Sequence, residues 1–150
     1  MTRPAGVTCT YAVVASRFNL PISEKLLSGA LEAFEKNRIA RDKITVLRVP
    51  GAFELPLTAK RLAKTGKYDA IVCLGAVIRG DTDHYQFVAQ EAAHGIARVS
   101  YEFDIPVIFG VLTTENERQA EARAGGKVGN KGRDAAVAAM EMAILLKKVP

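Results

Sequence analysis

AIVCLGAVIRGDTDHYQF, residues 70–87, is the stretch that decides how this chain folds. Its first nine residues form an apolar run that suits a strand buried on both faces. The run stops at Arg79 and Gly80, and apolar periodicity resumes at Tyr85, with His84 at the boundary. The pattern predicts a strand, a tight loop and a helix start. In a parallel sheet ligands bind at such places, because unpaired backbone N–H groups and the helix dipole point there.

The length of 150 residues predicts one domain, residues 1–150, that is large enough to bury a core without disulfides. Hydrophobic residues make up 49% of the chain and charged residues 25%, as in globular proteins. No run approaches the roughly 20 apolar residues that span a bilayer, and the first residues lack the pattern of a secretory signal. We therefore expect a cytoplasmic protein with no membrane partner.

The formal net charge is +5. Lysine and arginine are scattered rather than gathered along one element, and the chain has no zinc-finger spacing, RNA-binding aromatic motif or basic helix. Nucleic acid is therefore not a predicted partner. A small anionic substrate and ordinary solubility both explain the surplus of positive charge.

The two cysteines, Cys9 and Cys73, both lie inside apolar runs. A thiol in such a place behaves as a small hydrophobic group. Two isolated cysteines have the spacing of neither a zinc site nor a disulfide framework. We interpret both as packing residues and predict no metal site.

Strand and helix patterns alternate along the chain. Ser23 is the expected cap of the first helix, and Gly66 is the expected glycine just beyond the end of the second. The order βαβαβαβαα implies a parallel sheet with right-handed crossovers and helices on both faces. The predicted strands are residues 9–16, 43–50, 70–78 and 106–113, and the predicted helices are 22–37, 53–66, 84–104, 116–124 and 134–148.

The last predicted helix, DAAVAAMEMAILLKK, is apolar nearly all round, with only Asp134 and Glu141 interrupting residues 135–146. One face of a sheet cannot cover such a helix. We therefore predict that it is buried on two sides, the second side being a subunit interface. The alternative is that its small alanines tolerate exposure.

The two histidines receive different interpretations. His84 lies at a helix start beside a strand end, and histidine is the side chain that most readily exchanges a proton near neutral pH. Its alternative roles are those of a cap or a surface residue. His94 lies inside the same helix with no partner in register, and we interpret it as structural.

Two short segments are candidates for binding an anion. The backbone N–H groups at Gly80, Asp81 and Thr82 precede a helix, where phosphates commonly bind, although the segment lacks the P-loop spacing. Arg123, Lys127 and Lys131 bracket the glycine-rich turn GGKVGNKG, and cations beside such a turn suit an anion. A solvated connection between two helices explains that turn equally well. Neither ATP nor a dinucleotide is indicated.

Three further residues fall at or near strand ends. Glu54 precedes a helix, where its carboxylate accepts hydrogen bonds from a ligand hydroxyl or complements the helix dipole. Phe18 and Phe109 are candidates to stack on a flat ring, and core packing is the alternative for both. Together with His84, they predict one site at the carboxyl edge of the sheet.

Five motifs, in order, resemble the lumazine synthase family. They are ASRFN after the first strand, VPGAFELP after the second, GAVIRGDTDHY after the third, FGVLTTEN in the fourth, and ARAGGKVGNKGRDAA leading into the last helix. The resemblance covers nearly the whole chain, from about residue 13 to residue 147. It implies a flavodoxin-like, three-layer α/β fold with a four-stranded parallel sheet.

The resemblance also implies a transferase reaction in riboflavin biosynthesis. In that family 5-amino-6-(D-ribitylamino)uracil condenses with 3,4-dihydroxy-2-butanone 4-phosphate to give 6,7-dimethyl-8-ribityllumazine, and phosphate and water are released. No cofactor and no metal is implied. The alternative is a flavin-binding, lumazine-binding or shell-forming protein on the same scaffold with little turnover.

The family's site residues are carried over onto matching positions. The resemblance implies that His84 carries protons and that Arg123 and Lys131 are catalytic residues that also contact the phosphate. Asp81 and Thr82 are implied to offer it their backbone N–H groups, and Phe109 to come from a neighbouring subunit. The residues implied to hold the pyrimidine and ribityl groups are Phe18, Ala52, Phe53, Glu54, Ala76, Val77, Ile78 and Phe109.

Relatives in this family assemble as homopentamers, some of them as shells of sixty subunits, and riboflavin synthase is an implied partner. The short turn at residues 125–132 favours a shell. Two residues depart from the usual pattern. Asp83 stands where many relatives have proline, and Asp134 stands where many have glutamate. Asp83 adds negative charge near the implied phosphate, and Asp134 has a shorter reach toward His84 or the phosphate. Both departures therefore bear on substrate affinity and on proton exchange by His84.

Overall fold

The computed structural model describes residues 8–150. Its centre is a four-stranded sheet in which all neighbouring strands are parallel, in the order β2-β1-β3-β4. Apolar and β-branched side chains dominate these strands, and β1 and β3 are buried almost throughout. The strands are β1 (Tyr11–Ser16), β2 (Ile44–Val49), β3 (Ala70–Ile78) and β4 (Val107–Thr114).

Helices cover both faces of the sheet. Alternate side chains of β1 separate the two layers, since Val13 packs with α1 and α5 and Val14 packs with α2 and α3. The predicted three-layer, flavodoxin-like α/β fold is confirmed. The helices are α1 (Leu20–Lys36), α2 (Leu55–Lys64), α3 (His84–Phe103), α4 (Glu117–Ala122) and α5 (Lys131–Leu146), and a short 3-10 turn at Ala52–Glu54 precedes α2.

The predicted cap of the first helix is wrong. Ser23 lies within α1, buried, and its hydroxyl donates to the carbonyl of Leu20 at 3.2 Å. The helix begins earlier because Pro21 in its first turn has the backbone φ that a helix start requires. The predicted end of the second helix is confirmed, since Gly66 has the positive φ of +69° that a glycine adopts beyond a helix terminus.

The connection between α4 and α5 is not the plain loop that the sequence predicts. Two short antiparallel strands, β5 (Ala124–Gly126) and β6 (Gly129–Asn130), form a hairpin there. Helix α5 consequently begins at Lys131, three residues earlier than predicted. The side-chain carbonyl of Asn130 caps it by accepting from the N–H of Arg133 at 3.0 Å.

Helices α1 and α5 pack in close contact. A Cβ atom added at Gly132 would overlap the backbone carbonyl of Leu26 in α1, so only glycine fits there. Alanines fill the rest of the inner face of α5. Its outer face exposes Met142 and Leu145, the latter to 50%. The subunit interface expected on that outer face stays a prediction.

Both cysteines are buried and are not joined by a disulfide. Burial raises the pKa of the Cys73 thiol to about 12, so this thiol remains protonated and unreactive at physiological pH. The packing role predicted for Cys73 agrees with this position in the sheet. None of the helices within residues 8–150 is long and apolar enough to cross a membrane.

Candidate functional site

The loops that follow β1, β2 and β3 are tied together at the carboxyl edge of the sheet. The N–H of Arg17 donates to the carbonyl of Val49 at 2.7 Å, and the N–H of Phe18 donates to that of Pro50 at 3.0 Å. The side-chain amide of Asn19 donates to the carbonyl of Ala76 at 3.1 Å. These bonds give the edge a fixed backbone on which functional side chains are displayed.

The end of β3 is open on the side of β1. Pairing with β1 ends at Leu74, whereas pairing with β4 continues to Ile78. The backbone groups of residues 76–78 that face away from β4 therefore have no strand partner, apart from the Ala76 carbonyl that accepts from Asn19. Unpaired N–H and C=O groups at a strand end are available to the edge of a polar ring.

A cavity of about 680 Å³ lies over this open strand end. We call it the aromatic cleft. It contains nine of the predicted residues, namely Phe18, Ala52, Phe53, Glu54, Ala76, Val77, Ile78, Thr82 and His84. It also contains Gly80, a candidate anion-binding residue, and five residues that the sequence interpretation missed, namely Pro50, Gly51, Tyr85, Phe87 and Val88.

Three phenylalanines of the aromatic cleft are unusually exposed. Phe18 and Phe87 are each 70% accessible and Phe53 is 55% accessible. Core packing, the alternative considered for Phe18, is excluded by this exposure. Flat rings presented at the mouth of a cavity suit stacking with a planar ligand.

His84 is the first residue of α3, and its position at the helix start is confirmed. Its N–H donates to the hydroxyl of Thr82 at 3.3 Å, whereas Asp83 makes no side-chain cap bond. In the part of the chain that the structure describes, the N–H groups of Asp81 and Thr82 donate to no protein acceptor. These two donors remain available to an anion at the helix start, although Asp81 itself does not line the cavity over the end of β3.

A second cavity, of about 380 Å³, lies at the end of β4. We call it the cationic cleft. Arg123 and Lys131 both line it, and one Arg123 nitrogen donates to the carbonyl of Gln119 at 3.0 Å. The other lining residues are Phe109, Val111, Leu112, Thr113, Thr114, Val128 and Asp134.

The structure divides the predicted site between these two clefts. Within residues 8–150 no residue lines both, so His84 and Phe18 lie in one and Arg123, Lys131 and Phe109 lie in the other. Lys127, expected beside Arg123, lines a different cavity. Asp134 lies in the cationic cleft, and Arg133 is 3.4 Å from its carboxylate.

The fold and the clefts define a class: an α/β protein with a flavodoxin-like parallel sheet that carries ligand-binding loops at its carboxyl edge. Residues 8–147 match the family described as 6,7-dimethyl-8-ribityllumazine synthase. The chain therefore belongs to the 6,7-dimethyl-8-ribityllumazine synthase family, as the resemblance in its motifs predicted. This is a family of transferase-type enzymes of riboflavin biosynthesis, which use small-molecule substrates and typically assemble as oligomers.

Proposed function

We propose that this chain condenses 5-amino-6-(D-ribitylamino)uracil with 3,4-dihydroxy-2-butanone 4-phosphate to give 6,7-dimethyl-8-ribityllumazine, with release of phosphate and water. The observation that carries the proposal is the aromatic cleft, which gathers Phe18, Glu54 and His84 from three separate loops in a chain of this family. An exposed ring, a carboxylate and an imidazole are the groups that a flat, hydroxyl-rich amine requires.

The pyrimidine substrate fits the aromatic cleft. Its ring stacks on Phe18, and its edge reaches the unpaired backbone groups of residues 76–78. The ribityl hydroxyls donate to the carboxylate of Glu54 and contact the turn at Ala52–Glu54, which includes Phe53. The proposal thus gives Ala76, Val77 and Ile78 the role that the resemblance implied.

The butanone phosphate requires cations and amide donors. The free N–H groups of Asp81 and Thr82 bind its phosphate from the aromatic side. Arg123 contributes a planar fork that matches phosphate oxygens, and Lys131 contributes a second positive charge. Both cations come from the cationic cleft, and in the proposal that cleft belongs to an adjacent subunit together with Phe109.

His84 carries protons between the steps. The substrate amine attacks the ketone to form an imine with loss of water, the phosphate leaves, and the second amine closes the ring with loss of water. Each step moves a proton, which an imidazole accepts and returns. Both substrates are already reactive, so fixed geometry contributes much of the rate gain, up to about 7–11 kcal/mol.

The division of groups between the two clefts supports a site shared between subunits of a homopentamer. The cationic cleft lies beside β4, an edge strand of the sheet, where a second copy has access. A shell of sixty subunits, an association with riboflavin synthase and a cytoplasmic location complete the proposal. Sedimentation of the purified protein distinguishes a pentamer from a shell.

A substrate-mixing assay tests the proposed reaction. Mixing both substrates with the protein should produce the absorbance of the lumazine, and omission of either substrate should abolish it. A protein that forms no lumazine from both substrates would contradict the proposal.

Three exposed phenylalanines favour one other function, the binding of a flavin or lumazine with little turnover. Tight riboflavin binding, measured by quenching of its fluorescence, combined with no product in the mixing assay would select this second function. Retention of Arg123 and Lys131 in one cleft favours the enzyme, because binding of an uncharged flavin ring does not require two cations.

A further inference from the structure

A third cavity, of about 410 Å³, shares no residue with either cleft. We call it the basic pocket. Three cationic side chains line it from three separate elements: Lys25 on α1, Arg118 on α4 and Lys127 on the turn between β5 and β6. Among the described residues that line it, Glu121 carries the one carboxylate. The remaining lining consists of small residues, namely Ala122, Ala124, Gly125 and Gly126.

The charges of the basic pocket are not neutralised by the protein. None of the ion pairs found within residues 8–150 includes Lys25, Arg118, Lys127 or Glu121. Three cations and one carboxylate leave the lining with a net charge of about +2. All three cations are exposed, so water screens their mutual repulsion, and a bound dianion would offset what remains of it.

Small residues of the hairpin and of the end of α4 line one side of the basic pocket. Gly125 has a φ of +104°, which favours glycine. A Cβ atom at Gly126 would lie 2.8 Å from the carbonyl oxygen of Glu121 and 2.9 Å from the Cα of Ala122, so the hairpin packs directly on the end of α4. The resulting depression falls within the range of about 300–1,000 Å³ that small-molecule sites occupy.

We propose that the basic pocket binds a phosphate dianion, either free or as the head group of a small phosphomonoester. A phosphate group carries about −1.5 to −2 charge near neutral pH, which matches the lining. The planar guanidinium of Arg118 donates two parallel hydrogen bonds to phosphate oxygens, and Lys25 and Lys127 add point charges. This site uses none of the residues assigned to the substrate phosphate, so it goes beyond the proposed function.

Calorimetric titration with inorganic phosphate tests the proposal. The assembled full-length protein is used at low ionic strength in a buffer free of phosphate and sulfate, because salt screens such contacts. The background variant is Arg123→Ala, which removes a cation of the other candidate phosphate site. This variant should still bind phosphate. Adding Arg118→Gln should weaken binding about tenfold or more, since a charge-assisted bidentate contact is lost.

Lys60→Gln in the same background is the matched control, because Lys60 is an exposed cation on α2 that lines none of the three cavities. It should leave the affinity unchanged, and thermal melts should show that each variant is folded. Repeating the titration with glycerol 2-phosphate separates the two ligand sources: tighter binding than inorganic phosphate identifies a phosphomonoester, and equal binding identifies free phosphate.

Two results would overturn the proposal. One is equal weakening by Lys60→Gln and Arg118→Gln, which would show general charge attraction. The other is no phosphate binding by the Arg123→Ala background, which would show that the basic pocket is closed or neutralised in the assembly. Neither readout uses turnover, so a failure of the substrate-mixing assay would leave this test intact.

Discussion

The aromatic cleft and the cationic cleft lie at the same carboxyl edge of one sheet but differ in chemistry. The aromatic cleft is the larger, about 680 Å³ against 380 Å³, and it holds the exposed rings and the imidazole of His84. The cationic cleft holds Arg123 and Lys131 and contains no histidine. The aromatic cleft is therefore suited to a flat, neutral substrate, and the cationic cleft is suited to an anion.

Their separation has a mechanistic meaning. A reaction that joins a pyrimidine to a phosphorylated ketone requires both kinds of cleft to face the same reacting atoms. Within a single chain no residue belongs to both clefts. In the proposed assembly, the cationic cleft of a second copy would face the aromatic cleft and supply the missing half.

Among substitutions in the two clefts, removal of the His84 imidazole should lower the reaction rate most. His84→Ala should lower kcat about 10²–10⁴-fold, the usual contribution of general acid–base catalysis, with little change in either KM. His94→Ala is the control, because His94 is exposed on the same helix and lines neither cleft. Steady-state rates of lumazine formation decide the matter. A His84→Ala variant that is as fast as the parent would remove His84 from its role.

Mixing two impaired variants, assayed at a butanone phosphate concentration far below the KM expected for Arg123→Ala, tests whether the clefts act across copies. His84→Ala subunits co-assembled in equal amounts with Arg123→Ala subunits should recover about one quarter of the parent activity. In a random mixture, about half of the subunits retain His84 and about half of their neighbours retain Arg123, so about one site in four has both groups. Each variant assembled alone gives the baseline. Absence of recovery in verified mixed assemblies would show that each copy works by itself.

Removal of the Arg123 guanidinium should weaken the binding of the butanone phosphate but not that of the pyrimidine. Arg123→Ala should raise the KM for the butanone phosphate about 10–100-fold and change the KM for the pyrimidine much less, because hydrogen bonds to charged groups contribute about 1.5–3 kcal/mol. Arg123→Lys, which retains the charge without the fork, should give an intermediate KM. Equal changes in both KM values would argue against a dedicated cationic cleft.

Loss of the stacking ring should have the smallest effect. Phe18→Ala should raise the KM for the pyrimidine about 2–10-fold, in line with about 0.5–1.5 kcal/mol for an aromatic contact. Phe18→Tyr retains the ring and serves as the control. A larger effect on the butanone phosphate than on the pyrimidine would place the flat substrate elsewhere.

The sequence predicted the sheet well because its signals are local and strong. The third strand, Ala70–Ile78, was predicted with its observed bounds, since an unbroken apolar run ends sharply at Arg79 and Gly80. The hairpin at β5 and β6 was missed because its two strands are rich in glycine and have no apolar alternation. Ser23 was misassigned because a proline at the helix start determined the boundary instead.

The site was predicted in part. Parallel topology brings strand ends together, and this is why Phe18, Glu54 and His84 meet in one cleft as expected. Tyr85, Phe87 and Val88 were missed, although a signal existed for two of them: Phe87 and Val88 lie three and four residues after His84, on the same face of its helix. The division of the site into two clefts could not be predicted from the sequence, because the number of residues between His84 and Arg123 does not determine the distance between their side chains.

The close contact of Gly132 with the carbonyl of Leu26 fixes the position of the start of α5, and with it one side of the cationic cleft. Lys131 and Asp134, which flank that glycine, both line the cleft. A methyl group at position 132 would force α5 to slide or tilt away from α1, and both side chains would travel with it. The packing of α5 on α1 therefore determines where the positive charge of Lys131 lies in the cationic cleft.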